Sequence, residues 1–305
     1  MHIPWRYRFL QRLLNVRDWF VAQIIFLLLK LLRLIPMDTS IRLFERTARW
    51  LGPKLGRHKV AMDNLAIAFP EKSPGEREKI ASDSWAQIAR GIVEYGYLDK
   101  LVDIDESKLT GGPVEIINVE QFYKLRDDGL PAIIFTGHLG NFELLPIAAA
   151  QFGLDLQSLF RAPNNKYAAA KIAKARKQVA LNLVASGAGS SFQLMSALER
   201  GAHVGVLVDQ KFRRGIQVPF FGRNAPTNTL LAKLARRYDC PVHGCRSIRL
   251  PDGRFRLEIT DEIVLPRTLD GDIDIRGATE LITRVIEDWI REYPEQWLWI
   301  HRRWG

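Results

Sequence analysis

A histidine and a glutamate stand five positions apart in the segment GHLGNFE, residues 137–143. Histidine is the residue type whose unperturbed pKa lies closest to neutrality, so a side chain such as that of His138 can serve in proton transfer at cellular pH. A carboxylate such as that of Glu143 can fix the tautomer of the ring and stabilise its charged form. The pair predicts a general base with an orienting partner. The alternative is a structural histidine that only bonds a loop carbonyl.

The motif lies between a predicted strand and a predicted helix. The apolar run 132–135 is typical of a buried strand, and residues 144–150 have the composition of a helix. In open α/β sheets, ligands bind beyond the carboxyl ends of the strands, close to the N-termini of the helices that follow. We therefore expect His138 at that edge of a sheet.

Strands and helices alternate from about residue 131 onwards. Strands are predicted near 132–136, 156–160, 203–208 and 241–248, and helices near 141–152, 165–180, 191–200, 227–238 and 275–293. Alternation at this spacing is typical of a mostly parallel sheet with right-handed crossovers. The predicted fold class is α/β, with a mostly parallel central sheet flanked by helices.

Charged side chains follow two more of these strands. Arg161 opens a polar turn after the second strand, and Asp209 follows the apolar run 204–208. Arg176 comes one helix later, within the cation-rich segment 171–177. Asp209 has an ordinary alternative role, because an aspartate can cap a turn. The same holds for Arg176, because a basic helix face is commonly solvated.

The first third of the chain is predicted to be helical, with amphipathic segments near 39–51 and 57–69. Ser73 is expected to be the N-cap of a further helix, with Pro74 at its first position and Glu76 as the capping-box partner.

Most of the positive charge also lies near the N-terminus. The chain has 305 residues and a net charge of +10, and residues 1–60 hold twelve Lys or Arg against three Asp or Glu. Such a region is attracted to lipid headgroups or to nucleic acid. Residues 19–36 are largely apolar, and their eighteen positions are near the lower limit for a membrane span. We predict a membrane anchor over 1–37, either a short span or a helix lying in one leaflet, with a buried soluble helix as the alternative.

Several site classes are excluded by the sequence. It contains no G-x-S-x-G, G-x-x-x-x-G-K-[ST] or H-E-x-x-H motif, which are the usual signatures of serine hydrolases, P-loop proteins and zinc proteases. The two cysteines, Cys240 and Cys245, give no disulfide framework. Their apolar surroundings favour a strand entering the core over a metal site.

GHLGNFE resembles the H-x-x-x-x-[D/E] signature of glycerolipid-type acyltransferases. The chain more specifically resembles the late (secondary) acyltransferases of lipid A biosynthesis, of the lauroyl/myristoyl type. The blocks that carry the resemblance are NLAIAFPE at 64–71, FRAPNN at 160–165, VDQ at 208–210, VPFFG at 218–222 and PEQWLWIHRRW at 294–304. Together they extend over nearly the whole chain.

This resemblance implies transfer of a fatty acyl chain from acyl–acyl carrier protein to the 3-hydroxyl of a hydroxyacyl chain on a Kdo-modified lipid A precursor. It implies His138 as general base and Glu143 as its partner, with Arg161, Arg176 and Asp209 binding substrate. It implies no cofactor, no metal and no nucleic-acid partner. The implied location is the cytoplasmic face of the bacterial inner membrane, which favours an anchor lying in one leaflet ahead of an acyltransferase domain over 38–305.

Two other functions fit the same sequence. The shared signature also suits acylation of another glycolipid or of a lysophospholipid. A non-catalytic, membrane-tethered protein that binds lipid or nucleic acid is the other alternative, because the tail 293–304 interleaves aromatic residues with arginine.

Overall fold

A computed structural model shows a seven-stranded sheet covered by helices. It describes residues 5–97, 112–160, 165, 167, 169–170, 182–187 and 189–304. The strands are β1 (Val114–Ile117), β2 (Ile133–Thr136), β3 (Leu156–Phe160), β4 (Asn182–Ala185), β5 (His203–Leu207), β6 (Ile216–Phe220), β7 (Arg223–Thr227), β8 (Val242–Arg249) and β9 (Phe255–Ile259). The helices are α1 (Trp5–Leu32), α2 (Met37–Leu51), α3 (Gly56–Ala68), α4 (Pro74–Gly96), α5 (Val119–Asp127), α6 (Leu144–Gln151), α7 (Ser190–Glu199), α8 (Leu230–Tyr238) and α9 (Ile275–Glu292), with 3₁₀ turns at Gly52–Lys54 and Pro294–Gln296.

The strand order across the sheet is β1-β9-β8-β2-β5-β3-β4. Among the described strands of this sheet, β8 and β9 are antiparallel neighbours, and the other five neighbouring pairs are parallel. The mostly parallel central sheet flanked by helices is therefore confirmed. β6 and β7 form a separate antiparallel hairpin, in which Phe221 and Gly222 both have positive φ and make the two-residue turn.

The predicted strands correspond to β2, β3, β5 and β8, and the prediction missed β1, β4, β9 and the hairpin. β9 alternates buried apolar positions with Arg256 and Glu258, which is the pattern of a strand with one polar face; the prediction relied on continuous apolar runs and overlooked it. The helix predicted over 165–180 falls mostly outside the described residues.

Alternation along β2 divides the core between the two faces of the sheet. Ile133 and Phe135 belong to one buried cluster, which also contains the tail residues Trp297 and Trp299. Ile134 points the other way, into a second buried cluster with side chains of α5 and α6. A strand that is buried on both faces is typical of the centre of a parallel sheet.

The N-terminal helices pack beside the sheet through α4. At its start, Ser73 Oγ accepts from the backbone N of Glu76 at 3.3 Å and Glu76 Oε2 accepts from the backbone N of Ser73 at 2.7 Å, which confirms the predicted capping box. At its end, Tyr97 Oη lies 2.6 Å from the carbonyl oxygen of Leu32 and 2.7 Å from that of Ile35. These contacts attach the end of α1 to α4.

Much of the apolar surface of α1 is exposed. The exposed large apolar side chains of this helix are Leu13, Val16, Trp19, Phe20, Val21, Ile24, Leu27, Leu28 and Leu31. Among the residues that the structure describes, none of the helices is both long enough and apolar enough to cross a bilayer.

Candidate active site

The loop that carries His138 leaves β2 at the carboxyl edge of the sheet and turns sharply at Gly140. Gly140 has φ +58°, and a Cβ placed there would lie 2.0 Å from the carbonyl oxygen of Ser247 in β8. Its N–H donates to the carbonyl of Gln296 at 3.0 Å. Only glycine fits this conformation and this close approach, so the second glycine of GHLGNFE fixes the loop between β8 and the tail.

Asp209 holds the ring and the backbone of His138 at once. Its Oδ1 lies 2.8 Å from Nδ1 of His138, and its Oδ2 accepts from the backbone N of His138 at 2.8 Å. The indole Nε1–H of Trp297 donates to the same Oδ2 at 2.8 Å. An ionised carboxylate only accepts hydrogen bonds, so the proton of the neutral ring lies on Nδ1 and Nε2 keeps its lone pair.

The carboxyl group of Asp209 is almost completely buried, with 3% of the residue exposed. Burial on its own would raise its pKa, but the His138 ring and the hydrogen bonds from His138 and Trp297 outweigh burial and lower the pKa to about 2. Asp209 is therefore an anion at neutral pH, and it stabilises a positive charge on His138. The resemblance gave Asp209 as substrate-binding; the structure instead places it behind the ring of the predicted base.

Strand register explains why these two residues meet. β2 and β5 are parallel neighbours, with Thr136 opposite Leu207. His138 and Asp209 each follow two residues after that pair. Aligning the carboxyl ends of the two predicted strands would thus have placed the carboxylate beside the imidazole from sequence alone.

Glu143 lies immediately before α6 and borders the same cavities as His138. The carboxylate that contacts Nδ1 of His138 belongs to Asp209 and not to Glu143. The role of Glu143 as the partner of His138 stays a prediction. Arg161 and Arg176 lie outside the described residues. Gln210, which sequence reasoning did not single out, places its Nε2 3.1 Å from Nε2 of His138.

The tail is an internal part of the site. Arg303 is 1% exposed and donates to the carbonyl of Pro226 at 3.0 Å and to Thr227 Oγ1 at 2.6 Å. The guanidinium of Arg303 is therefore enclosed by protein and bonded to β7. His301 accepts a hydrogen bond at Nε2 from the backbone N of Lys211 at 3.0 Å, which holds the turn after Asp209.

A buried ion pair supports the other side of the loop. Arg249 in β8 donates to both carboxylate oxygens of Glu94 in α4, with the shortest contact 2.7 Å. Asn141, three residues after His138, donates to Glu94 Oε2 at 2.9 Å. The amide of Gln296 pairs with the backbone N and O of Arg249 at 2.8 and 2.9 Å. Helix α4, β8, the tail and the loop are thus joined in one network.

Two cavities meet at the histidine. The larger, about 700 Å³, lies against one face of the sheet and beneath α6, and its apolar lining includes Ile134, Leu145, Leu156, Leu159 and Leu207. The smaller, about 300 Å³, lies between α4 and the tail. Four residues border both cavities, namely Tyr95, His138, Phe142 and Glu143. This arrangement allows two bound groups to meet at the imidazole.

Among the described residues, no group of three His, Cys, Asp or Glu side chains is arranged to hold a metal ion. Cys240 and Cys245 are free thiols at the entry to β8 and within it. Burial raises the pKa of Cys240 to about 11 and that of Cys245 to about 12, so both are protonated at neutral pH. The expected strand entering the core is confirmed.

Comparison with known proteins points to one family. A family model described as bacterial lipid A biosynthesis acyltransferase matches residues 6–305. The lipid A biosynthesis palmitoleoyltransferase of Escherichia coli K12 is 25% identical over 253 residues, which cover 81% of this chain and 78% of that protein. The lipid A biosynthesis lauroyltransferase of the same organism is 25% identical over 252 residues, with the same coverage. A lipid A biosynthesis acyltransferase of Shigella flexneri is also 25% identical over 253 residues.

Proposed function

The chain belongs to the family of bacterial lipid A biosynthesis acyltransferases, and from this membership we propose the reaction that it catalyses. A fatty acyl chain passes from acyl–acyl carrier protein to the 3-hydroxyl of a hydroxyacyl chain on a Kdo-modified lipid A precursor. The products are an acyloxyacyl ester and the free carrier-protein thiol. The observation that carries the proposal is the contact between His138 and the buried anion Asp209.

In the proposed reaction, Nε2 of His138 takes the proton of the acceptor hydroxyl. The resulting oxygen attacks the thioester carbonyl, and the tetrahedral intermediate collapses with loss of the thiolate. The thiolate then receives the proton from Nε2. Asp209 supports this cycle because it keeps Nδ1 protonated and stabilises the imidazolium that exists between the two transfers.

The larger cavity suits the acyl chain of the donor. Its lining is mostly apolar, and it reaches from the middle of the sheet to His138. A chain bound there is shielded from water while its thioester stands beside the imidazole. Gln210 also borders this cavity, and its amide Nε2 lies 3.1 Å from Nε2 of His138, so the acceptor hydroxyl would take the place of this amide at the lone pair of the base.

Further roles follow the family resemblance. Glu143 borders both cavities beside the base, and the proposal keeps it as the catalytic partner of His138. Arg161 and Arg176 are proposed to bind the anionic acceptor, because a guanidinium forks onto phosphate and carboxylate groups. No cofactor takes part in the proposed reaction.

The proposal also includes a membrane surface, because the lipid A precursor and its acylated product belong to one. Helix α1 exposes a long row of apolar side chains, and the surrounding region is strongly basic. This combination suits a helix that lies in the cytoplasmic leaflet of the inner membrane, with its cations among anionic headgroups. Residues 1–37 would then be the anchor and 38–305 the acyltransferase domain.

The test is a reconstituted assay with purified enzyme, acyl–acyl carrier protein and a Kdo-modified lipid A precursor, followed by mass spectrometry. We expect a product heavier by one acyl chain. The variant His138→Ala should lower kcat by a factor of about 10²–10⁴. Acylation of lysophospholipids with no reaction on the lipid A precursor would overturn the proposed acceptor. Unchanged turnover in His138→Ala would overturn the base.

A further inference from the structure

The tail places an indole N–H on the carboxylate that holds the base. Trp297 is 2% exposed, and its Nε1 lies 2.8 Å from Asp209 Oδ2. In the part of the chain that the structure describes, Asp209 receives one further side-chain donor, Nδ1 of His138 at 2.8 Å, which binds the other oxygen. The two oxygens of the carboxylate are therefore divided between the histidine ring and the tryptophan.

We propose that Trp297 is a positioning residue of the acyl-transfer site: its N–H fixes the rotation of the Asp209 carboxylate so that Oδ1 meets Nδ1 of His138. This rests on the proposed function of His138 as base. With Oδ2 bound to the indole N–H and to the backbone N–H of His138, the carboxylate cannot turn about its Cβ–Cγ bond without losing both bonds. A hydrogen bond to a carboxylate is about twice as strong as one between neutral groups.

The indole is itself held firmly. Its ring packs edge-on against Trp299, with centroids 4.6 Å apart, and against Phe220 at 5.8 Å. The backbone carbonyl of Trp297 accepts from Ser84 Oγ at 2.9 Å, and its backbone bridges Leu139 in the loop after His138. The N–H direction is thus set by contacts on every side.

Trp299 provides a matched control two residues away. It is fully buried at 0% exposure, but its Nε1 donates to the carbonyl of Pro294 at 2.6 Å and not to the site. Replacing either tryptophan by phenylalanine keeps an aromatic ring and removes one N–H and some volume. The comparison of Trp297→Phe with Trp299→Phe therefore separates the bond to Asp209 from the loss of packing.

We expect Trp297→Phe to lower kcat about tenfold, which corresponds to loss of a bond to a charged group. KM for the donor should stay within about twofold, because Trp297 does not border the donor cavity. The acidic limb of the pH profile of kcat/KM should move to higher pH, since a carboxylate with one donor fewer attracts the proton of His138 more strongly. Trp299→Phe keeps a ring against Trp297 and leaves the indole N–H on Asp209, so it should lower kcat less than Trp297→Phe does and leave the profile in place.

A second readout does not depend on the reaction. The Nδ1–H proton of His138 can be followed by NMR with labelled histidine, and its resonance should shift more in Trp297→Phe than in Trp299→Phe. If Trp297→Phe does not fold, 3-benzothienylalanine at position 297 keeps the indole shape without the N–H. Equal effects of the two changes on both readouts would overturn the inference. A wild-type enzyme that transfers no acyl chain, with the NMR difference intact, would overturn the proposed function alone.

Discussion

Asn141 donates its side-chain amide to Glu94 at 2.9 Å, and this bond joins the loop of the predicted base to helix α4. Glu94 is fully buried, and its carboxylate also receives the guanidinium of Arg249. The loop therefore rests on a buried ion pair, in which Arg90 also donates to Glu94 Oε1 at 2.9 Å. Several measurable consequences depend on this and the neighbouring contacts.

The change Glu94→Gln should destabilise the protein strongly. It leaves the buried guanidinium of Arg249 without its counter-charge, and breaking such a pair costs about 3–5 kcal/mol. The free energy of unfolding in urea measures the loss. The control is Glu280→Gln, which removes a pair with Arg276 on the surface of α9 and should cost less than about 1 kcal/mol. Equal small losses in both variants would contradict the expectation.

Asp209→Asn should nearly abolish turnover while the protein stays folded. The amide has almost the same shape, but it has no charge to stabilise the imidazolium and can present an N–H to Nδ1. Loss of the correct tautomer in such a pair lowers kcat by about 10⁴. Steady-state kinetics with acyl–acyl carrier protein and the lipid A precursor give the value. Asp252→Asn, in an exposed turn, serves as the control and should keep normal turnover.

The carboxylate of Asp209 makes the stability of the protein depend on pH in a defined way. Its pKa falls from an ordinary 3.8 to about 2 on folding. The resulting stabilisation is fully present above pH 4, and it is lost as the pH falls towards 2. At about 1.4 kcal/mol per pKa unit it amounts to about 2 kcal/mol. Unfolding free energies of wild type and Asp209→Asn should converge by that amount between pH 5 and pH 2; parallel curves would contradict the expectation.

Gly140→Ala should lower the free energy of unfolding by more than its left-handed backbone conformation alone explains. A Cβ there would lie 2.0 Å from the carbonyl oxygen of Ser247, whereas at Gly129, with φ +69°, a Cβ would meet nothing within 4 Å. Gly129→Ala should cost about 1 kcal/mol for the positive φ. Gly140→Ala adds displacement of β8 from the loop, so we expect at least twice that loss and a fall in activity. Urea unfolding of the two variants gives the comparison.

The cavity proposed for the donor chain can be narrowed at Gly205. A Cβ there would lie 3.0 Å from Ser158 Oγ and 3.4 Å from Leu156, both of which line the cavity. Gly205→Ala should therefore lower kcat/KM more for the longest accepted acyl chain than for shorter ones. A series of acyl donors measures this preference. Gly75→Ala, with open space around its Cβ, is the control; a uniform fall across chain lengths would argue against this cavity.

The central strands were predictable because their apolar runs reflect burial on both faces. The missed β9 gains its place from pairing with β1 and β8, and no local pattern reveals such a pairing. The contact between His138 and Asp209 follows from strand register and was within reach of the sequence. The burial of the tail could not be predicted in this way, because nothing in the local sequence distinguishes the buried guanidinium of Arg303 from a solvated one.

The predicted base and the two residues that hold it are synthesised in a fixed order. Asp209 follows His138 by 71 residues, and Trp297 follows Asp209 by a further 88. At about 5–20 residues per second, a ribosome needs roughly 4–18 s to travel from the carboxylate to the indole. During that time the histidine and aspartate are present without the segment that closes over them. A nascent chain therefore lacks the indole that binds Asp209 until Trp297 has been added, and a product cut short before Trp297 is left with an incomplete site.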